Sequence, residues 1–206
     1  MALNQNSMSK LSSLYASARH VVALAGYSHE IAWTKDIAGK NFTESEFLRE
    51  AAWVVLCSGF KESTVRSKFD YISLCFFDWE SAEEIETNSI LCISTASAVF
   101  RNERKLKAIV EIASTIAQVS FARFRKSIDQ NPLDTLTKLP FIGPITSQHL
   151  AKNLGYPFAK HDRHMARLSK QFGYTDTQTF CRDIAIITGD PIPVIDSVLW
   201  RYASIT

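Results

Sequence analysis

The apolar residues of this chain recur at intervals of three and four almost from end to end, and almost nowhere do they alternate with polar ones. Intervals of three and four put side chains on one face of an α-helix, whereas a half-buried strand would need a period of two. An all-α fold is the expectation. Leu11, Leu14, Tyr15 and Ala18 share one face of a first helix. Thr43 with Glu46 three positions on has the pattern of a capping box, leading into FLREAAWVVLCS and stopping at Gly59. STVRSKFDYISLCFF is a further amphipathic stretch. Leu106, Ile109, Val110, Ile112, Ala113 and Ile116 line one face of a helix over 103–119. Residues 129–132, ending in Pro132, break the next segment, and 133–136 form a short helical turn. Pro144 suits the first turn of a helix running to Asn153, with Gly155 as its stop. Asp162 suits the N-cap of a helix running to Gln171, stopped by Gly173. With 176–188 and 191–203, the pattern predicts roughly nine to eleven helices.

The chain has 206 residues, 46% of them hydrophobic, enough to pack one large domain or two small lobes. No window is long and apolar enough for a bilayer, and MALNQNSMSK lacks the apolar core of a signal peptide, so a soluble, cytoplasmic protein without membrane contact is expected. The four cysteines, Cys57, Cys75, Cys92 and Cys181, are scattered through apolar stretches; buried, reduced thiols and no metal site are expected. Net charge is only +2. Its distribution is uneven: 138–170 contains Lys138, Lys152, Lys160, Arg163, Arg167 and Lys170 with Asp162 as its sole carboxylate, whereas 78–86 contains five carboxylates and no base. One basic face on a nearly neutral whole is compatible with a polyanionic partner, although charge alone favours an ordinary solvated helix surface.

The informative stretch is LTKLPFIGPITSQHLAKNLGYPFAKHDRHMARLSKQFGY, 136–174. Residues 139–143, LPFIG, read as a tight turn between two short helices. Gly143 lacks a Cβ, which lets the backbone approach another surface. The helix beginning there offers N–H groups at Gly143, Ile145, Thr146 and Ser147, an anion site suited to a DNA phosphate. Such a contact positions a duplex without reading its sequence.

This segment resembles the helix-hairpin-helix DNA glycosylases, the superfamily of endonuclease III and the adenine and 8-oxoguanine glycosylases. The family hairpin reads roughly L-P-G-[VI]-G and is followed, after a helix and a loop, by an aspartate in a D-x-H context. Here the hairpin is Leu139-Pro140-Phe141-Ile142-Gly143, with Phe141 in place of the first glycine, and Asp162-Arg163-His164 follows Gly143 by 19 positions. PVIDSVLWRY, 193–202, is similar to the closing helix of the archaeal-type 8-oxoguanine glycosylases. The cysteines do not match the iron–sulfur loop of endonuclease III. The resemblance implies two helical lobes with a DNA-binding cleft, expected at 30–130 and at 1–29 plus 131–206. It also implies a monovalent cation held by hairpin carbonyls, with no other cofactor, and a monomer acting on double-stranded DNA that carries a damaged or modified base.

Asp162 is then the expected catalytic carboxylate. Its plain alternative is an N-cap, and the two jobs are compatible. Loss of a base builds positive charge on the sugar, which a carboxylate stabilises while it orients a water. Lys160, His161 and His164 are candidate DNA contacts, with loop packing as the simpler alternative for the histidines. Trp200 is either a core aromatic or a wall of the pocket for an extruded base. Phe60, after Gly59, is either a wedge into the duplex or a ring packed under its turn, and Lys61 is a candidate phosphate contact. In family members that also cleave the strand, a lysine stands two places after the last hairpin glycine. That place is Ile145 here, which implies a monofunctional, water-using enzyme. Three alternatives stay open: a bifunctional glycosylase/lyase using Lys160 or Lys152, a non-enzymatic helix-hairpin-helix DNA-binding module, and an all-α protein-interaction domain.

Overall fold

A computed structural model describes residues 5–206. Among them are thirteen α-helices and no strand. In chain order the helices are α1 (Gln5–Leu24), α2 (Ser28–Ile37), α3 (Glu44–Cys57), α4 (Glu62–Cys75), α5 (Ala82–Thr87), α6 (Ser89–Ala96), α7 (Glu103–Val119), α8 (Phe121–Gln130), α9 (Pro132–Leu136), α10 (Pro144–Asn153), α11 (Arg163–Gln171), α12 (Thr177–Thr188) and α13 (Ile192–Ile205). The expected nine to eleven falls short because α2, α5 and α6 are short and carry no continuous apolar stripe. No helix among the described residues is long and apolar enough to cross a membrane.

The chain forms two compact units. One comprises residues 5–41 and Ala151–Thr206, the other Phe42–Leu150. These limits differ from the expected 29/30 and 130/131. At the first, α2 packs on α13 and so belongs to the discontinuous unit. At the second, α8 and α9 pack together, and Phe124 of α8 meets Phe47 of α3 edge-on, with ring centroids 5.0 Å apart.

In the discontinuous unit, α1 lies against α12 and α13, and α13 also packs on α11. The core gathers Leu11, Tyr15 and Ala18 with Met165, Leu168, Phe180, Ile184, Val194, Ile195, Val198 and Leu199. Each large side chain here contributes about 1.5–3 kcal/mol by leaving water. Gly155 closes this unit at a tight point: its φ is +84°, and a Cβ there would lie 2.3 Å from the Ile37 carbonyl oxygen. Its own carbonyl accepts from the Gly39 amide.

In the continuous unit, Thr43 and Glu46 form the expected capping box at the head of α3. The core is built from Phe47, Val55, Leu56, Ile72, Phe76, Trp79, Ile85, Leu106, Ile112 and Ile116. Between α4 and α5, Phe77, Asp78 and Trp79 all take positive φ, a left-handed 3₁₀ turn that buries Trp79. Cys92 and Cys181 are buried, and burial raises both thiols, Cys92 to about 11. Cys57 and Cys75 are only half-buried, contrary to expectation, because they sit at the last position of α3 and of α4.

Candidate active site

Asp162 is the N-cap of α11, with extended backbone at φ −95°, ψ 177°. Its Oδ1 accepts from the amides of His164 (3.0 Å) and Met165 (3.1 Å). The capping job is therefore done by one oxygen. Oδ2 accepts from the indole Nε1 of Trp200 at 2.8 Å and lies 3.3 Å from the Lys160 ammonium. Burial opposes ionisation of this carboxyl, but Lys160, the Met165 amide and the Trp200 indole outweigh it and hold the group below its usual range. Asp162 is thus a fixed anion at neutral pH, with its side chain 15% exposed.

Trp200, on α13, is half-buried and serves this carboxylate. Its ring lies 4.8 Å from the Arg201 guanidinium and meets the edge of His164. Lys160 is anchored through its backbone, whose amide donates to Asp196 Oδ1 at 2.9 Å. Asp196 is almost fully buried; Lys152 lies 2.9 Å from its Oδ2, which accepts no hydrogen bond among the described residues. An ion pair with its carboxylate buried in this way holds both partners in place, because removing either leaves a charge stranded. The loop carrying Lys160 and Asp162 is thereby tied to α13 at two points, Asp196 and Trp200.

Lys160, Asp162, His164 and Trp200 are therefore brought together. His161 turns away, with Nδ1 2.7 Å from the hydroxyl of the buried Thr177. His164 Nε2 accepts from Arg163 Nε. Sequence reasoning missed Asp196, although a lone carboxylate inside the apolar run PVIDSVLW signals a buried partner. The Trp200–Asp162 bond spans 38 positions, and no local signal carries it.

In the other unit, the turn 139–143 joins α9 to α10. The Gly143 amide is already used, donating to Thr146 Oγ1 at 2.6 Å, and the Ser147 amide donates to the Gly143 carbonyl. Ser147 is also buried. The expected four-donor anion site is therefore reduced to the Ile145 and Thr146 amides, which have no backbone partner among the described residues. Ile145 is 47% exposed. Phe141 takes φ +61°, the left-handed region that glycine enters freely. A Cβ on Gly143 would touch nothing closer than Thr146 Oγ1 at 3.9 Å.

Lys105, at the head of α7, is buried. Its ammonium donates to the carbonyls of Val55 and Ser58 at the end of α3. It also lies 5.4 Å from the ring centroids of both Phe60 and Phe141. Phe60 is 41% exposed with its ring against Phe100, and Lys61 is exposed at the N-cap of α4. Among the described residues no cluster of His, Cys, Asp or Glu could hold a metal ion.

Fold and site together define an all-helical protein of two compact units, one presenting a buried-side, ionised aspartate at a helix N-terminus. No known family, no curated protein and no solved structure is matched by the chain.

Proposed function

We propose that the chain is a DNA glycosylase of base-excision type, a helix-hairpin-helix enzyme that flips a damaged or modified base out of double-stranded DNA and hydrolyses its N-glycosidic bond. The observation that carries this reading is the state of Asp162: an aspartate held ionised by Trp200 and Lys160, on a loop pinned by Asp196. A plain N-cap needs only Oδ1. The donors gathered on Oδ2 are unnecessary for capping and suit a carboxylate that must stay charged while positive charge grows on a sugar. Four donors occupy Asp162, and Lys160 is the longest of them at 3.3 Å. When a DNA phosphate draws Lys160 away, Oδ2 regains a lone pair with which to orient the attacking water. The Ile145 and Thr146 amides would take a backbone phosphate, and a hairpin cation would have to share the Phe141 and Gly143 carbonyls with the Thr146 hydroxyl.

The reading is monofunctional, because Ile145 offers no amine and Lys152 is committed to Asp196. One observation favours a second reading: Lys160 Nζ stands beside Asp162, where an amine nucleophile would be useful. Borohydride trapping on lesion-bearing DNA separates the two. The glycosylase reading itself is tested by digesting genomic DNA and single-lesion oligonucleotides and identifying released bases by mass spectrometry. No released base from any substrate, with DNA binding intact, would leave a non-enzymatic DNA-binding module.

A further inference from the structure

Phe141 combines two unfavourable properties. It holds a left-handed backbone, which costs a non-glycine residue about 1–2 kcal/mol, and it leaves its ring 40% exposed. Strain of this kind persists where the surroundings enforce it and is commonest where a ligand is met. The turn is closed by the Ile142 amide on the Leu139 carbonyl, and the Lys105 ammonium lies beside it, 5.4 Å from the ring centroids of both Phe141 and Phe60. That ammonium is itself fixed by the α3 carbonyls, so both rings hang from one immobile charge. A cation on one side of a ring draws π density toward it, leaving the other side better suited to an electron-rich partner than to a second cation.

A groove of about 630 Å³ runs beside Phe60, lined also by Lys68, Phe100, Arg101, Glu103 and Arg104. Its one carboxylate, Glu103, is paired with Lys107 on the same helix. Arg101 and Arg104 enter no ion pair among the described residues, and Lys68 spends its ammonium on a neutral carbonyl, that of Val99. The groove is therefore net cationic and bordered by an exposed aromatic ring, with a second such ring across Lys105. Aromatic faces beside uncompensated cations are the chemistry of single-stranded nucleic-acid binding.

We propose that Phe60 and Phe141, hung from Lys105, form a stacking site for unpaired bases of DNA, with Arg101 and Arg104 holding the adjoining phosphates. The site deepens the glycosylase reading, since a duplex with one base extruded offers unpaired neighbours, but it requires no turnover and is testable without it. In the presence of the site, DNA with an unpaired base is preferred over perfect duplex whatever happens at Asp162.

The experiment uses the full chain carrying Asp162→Asn and three oligonucleotides containing 2-aminopurine: single-stranded, in a duplex opposite an abasic analogue, and fully paired. Stacking quenches this fluorophore. Quenching of the first two, with affinity about tenfold above that for the paired duplex, is expected. Phe141→Gly keeps the left-handed turn and removes only the ring, so it should fold at least as well as the parent and lose most of that preference, and Phe60→Ala should do the same. Equal affinity for all three DNAs would overturn the proposal. So would a folded Phe141→Gly protein that still quenches and discriminates, or one that loses affinity equally for all three. If base release is never found yet the preference holds and falls with Phe141, the catalytic reading fails and the stacking site stands.

Discussion

Two charged groups, one in each unit, are both largely withdrawn from water and are handled in opposite ways. Asp162 is surrounded by donors: two amides, an indole and an ammonium fill its acceptor positions. Lys105 is held by carbonyls below and faces two aromatic rings that are themselves open to solvent. Around the aspartate nothing is strained: the cap residue has ordinary extended backbone. Beside the lysine, Phe141 carries a left-handed backbone at the surface. The first arrangement fixes a charge state; the second fixes a shape.

The sharpest way to break this comparison is Asp162→Asn. Asparagine caps helices about as well as aspartate, so the fold and DNA affinity within a few fold should survive, while base release falls by roughly a hundredfold or more. Mass-spectrometric quantitation of released base checks it. Activity within tenfold of the parent would remove Asp162 from the chemistry. Next in size is Gly143→Val. The added Cβ meets only Thr146 Oγ1, at the ordinary contact distance of 3.9 Å, so the variant should fold and lose on the order of tenfold in affinity for every duplex alike, the mark of a phosphate contact. Fluorescence anisotropy with intact and lesion-bearing duplexes would expose the alternative, a normal or lesion-selective loss.

Trp200→Phe tests whether the donors on Oδ2 matter. Base release should fall by about tenfold, the usual worth of one hydrogen bond to a charged group. The pH profile carries the sign. Asp162 in the parent ionises below the usual carboxylate range, so activity should persist as pH falls to about 4; without the indole, or in Lys160→Gln, the acid limb should move upward. A limb that stays put would mean the indole only packs. The same depression contributes stability that is present above the unfolded carboxylate value, about 3.9, and is lost as pH falls through the folded one. The difference in melting temperature between parent and Asp162→Asn should therefore shrink below about pH 4. The smallest expected effect is at the strained ring: Phe141→Gly should raise stability by a few tenths to about 1 kcal/mol, read by urea titration. A clear loss would show that the ring, not the turn, holds that corner.

What could be read from the residues was local. Asp162, Thr43 and Asp176 announce their helices because a short side-chain oxygen reaches the next amides along the chain. Pro132 and Gly155 mark breaks through φ alone. The parts that escaped depend on distance along the chain. Trp200 meets Asp162 and Lys105 meets Ser58 only after folding. Lys105 left a trace, standing in register with Ile109, Ile112 and Ile116 on the apolar face of α7, where a lysine has to find acceptors. The left-handed turn at Phe77–Trp79 left little, since of its three residues only Asp78 belongs to a type enriched at positive φ; what sustains it is Trp79, stacked on Phe69 and Phe76 and bonded to Ser73.

The pairing of α1 with α13 has a consequence for synthesis. Ribosomes add about 5–20 residues per second, and the core that α1 enters is completed by Val198, Leu199 and Ala203. Leu11, Tyr15 and Ala18 therefore emerge long before their partners exist and wait for many seconds with an apolar face uncovered. The unit Phe42–Leu150 is complete in sequence well before α13 is made. The apolar face of α1 thus stays without its native cover until α13 has been made.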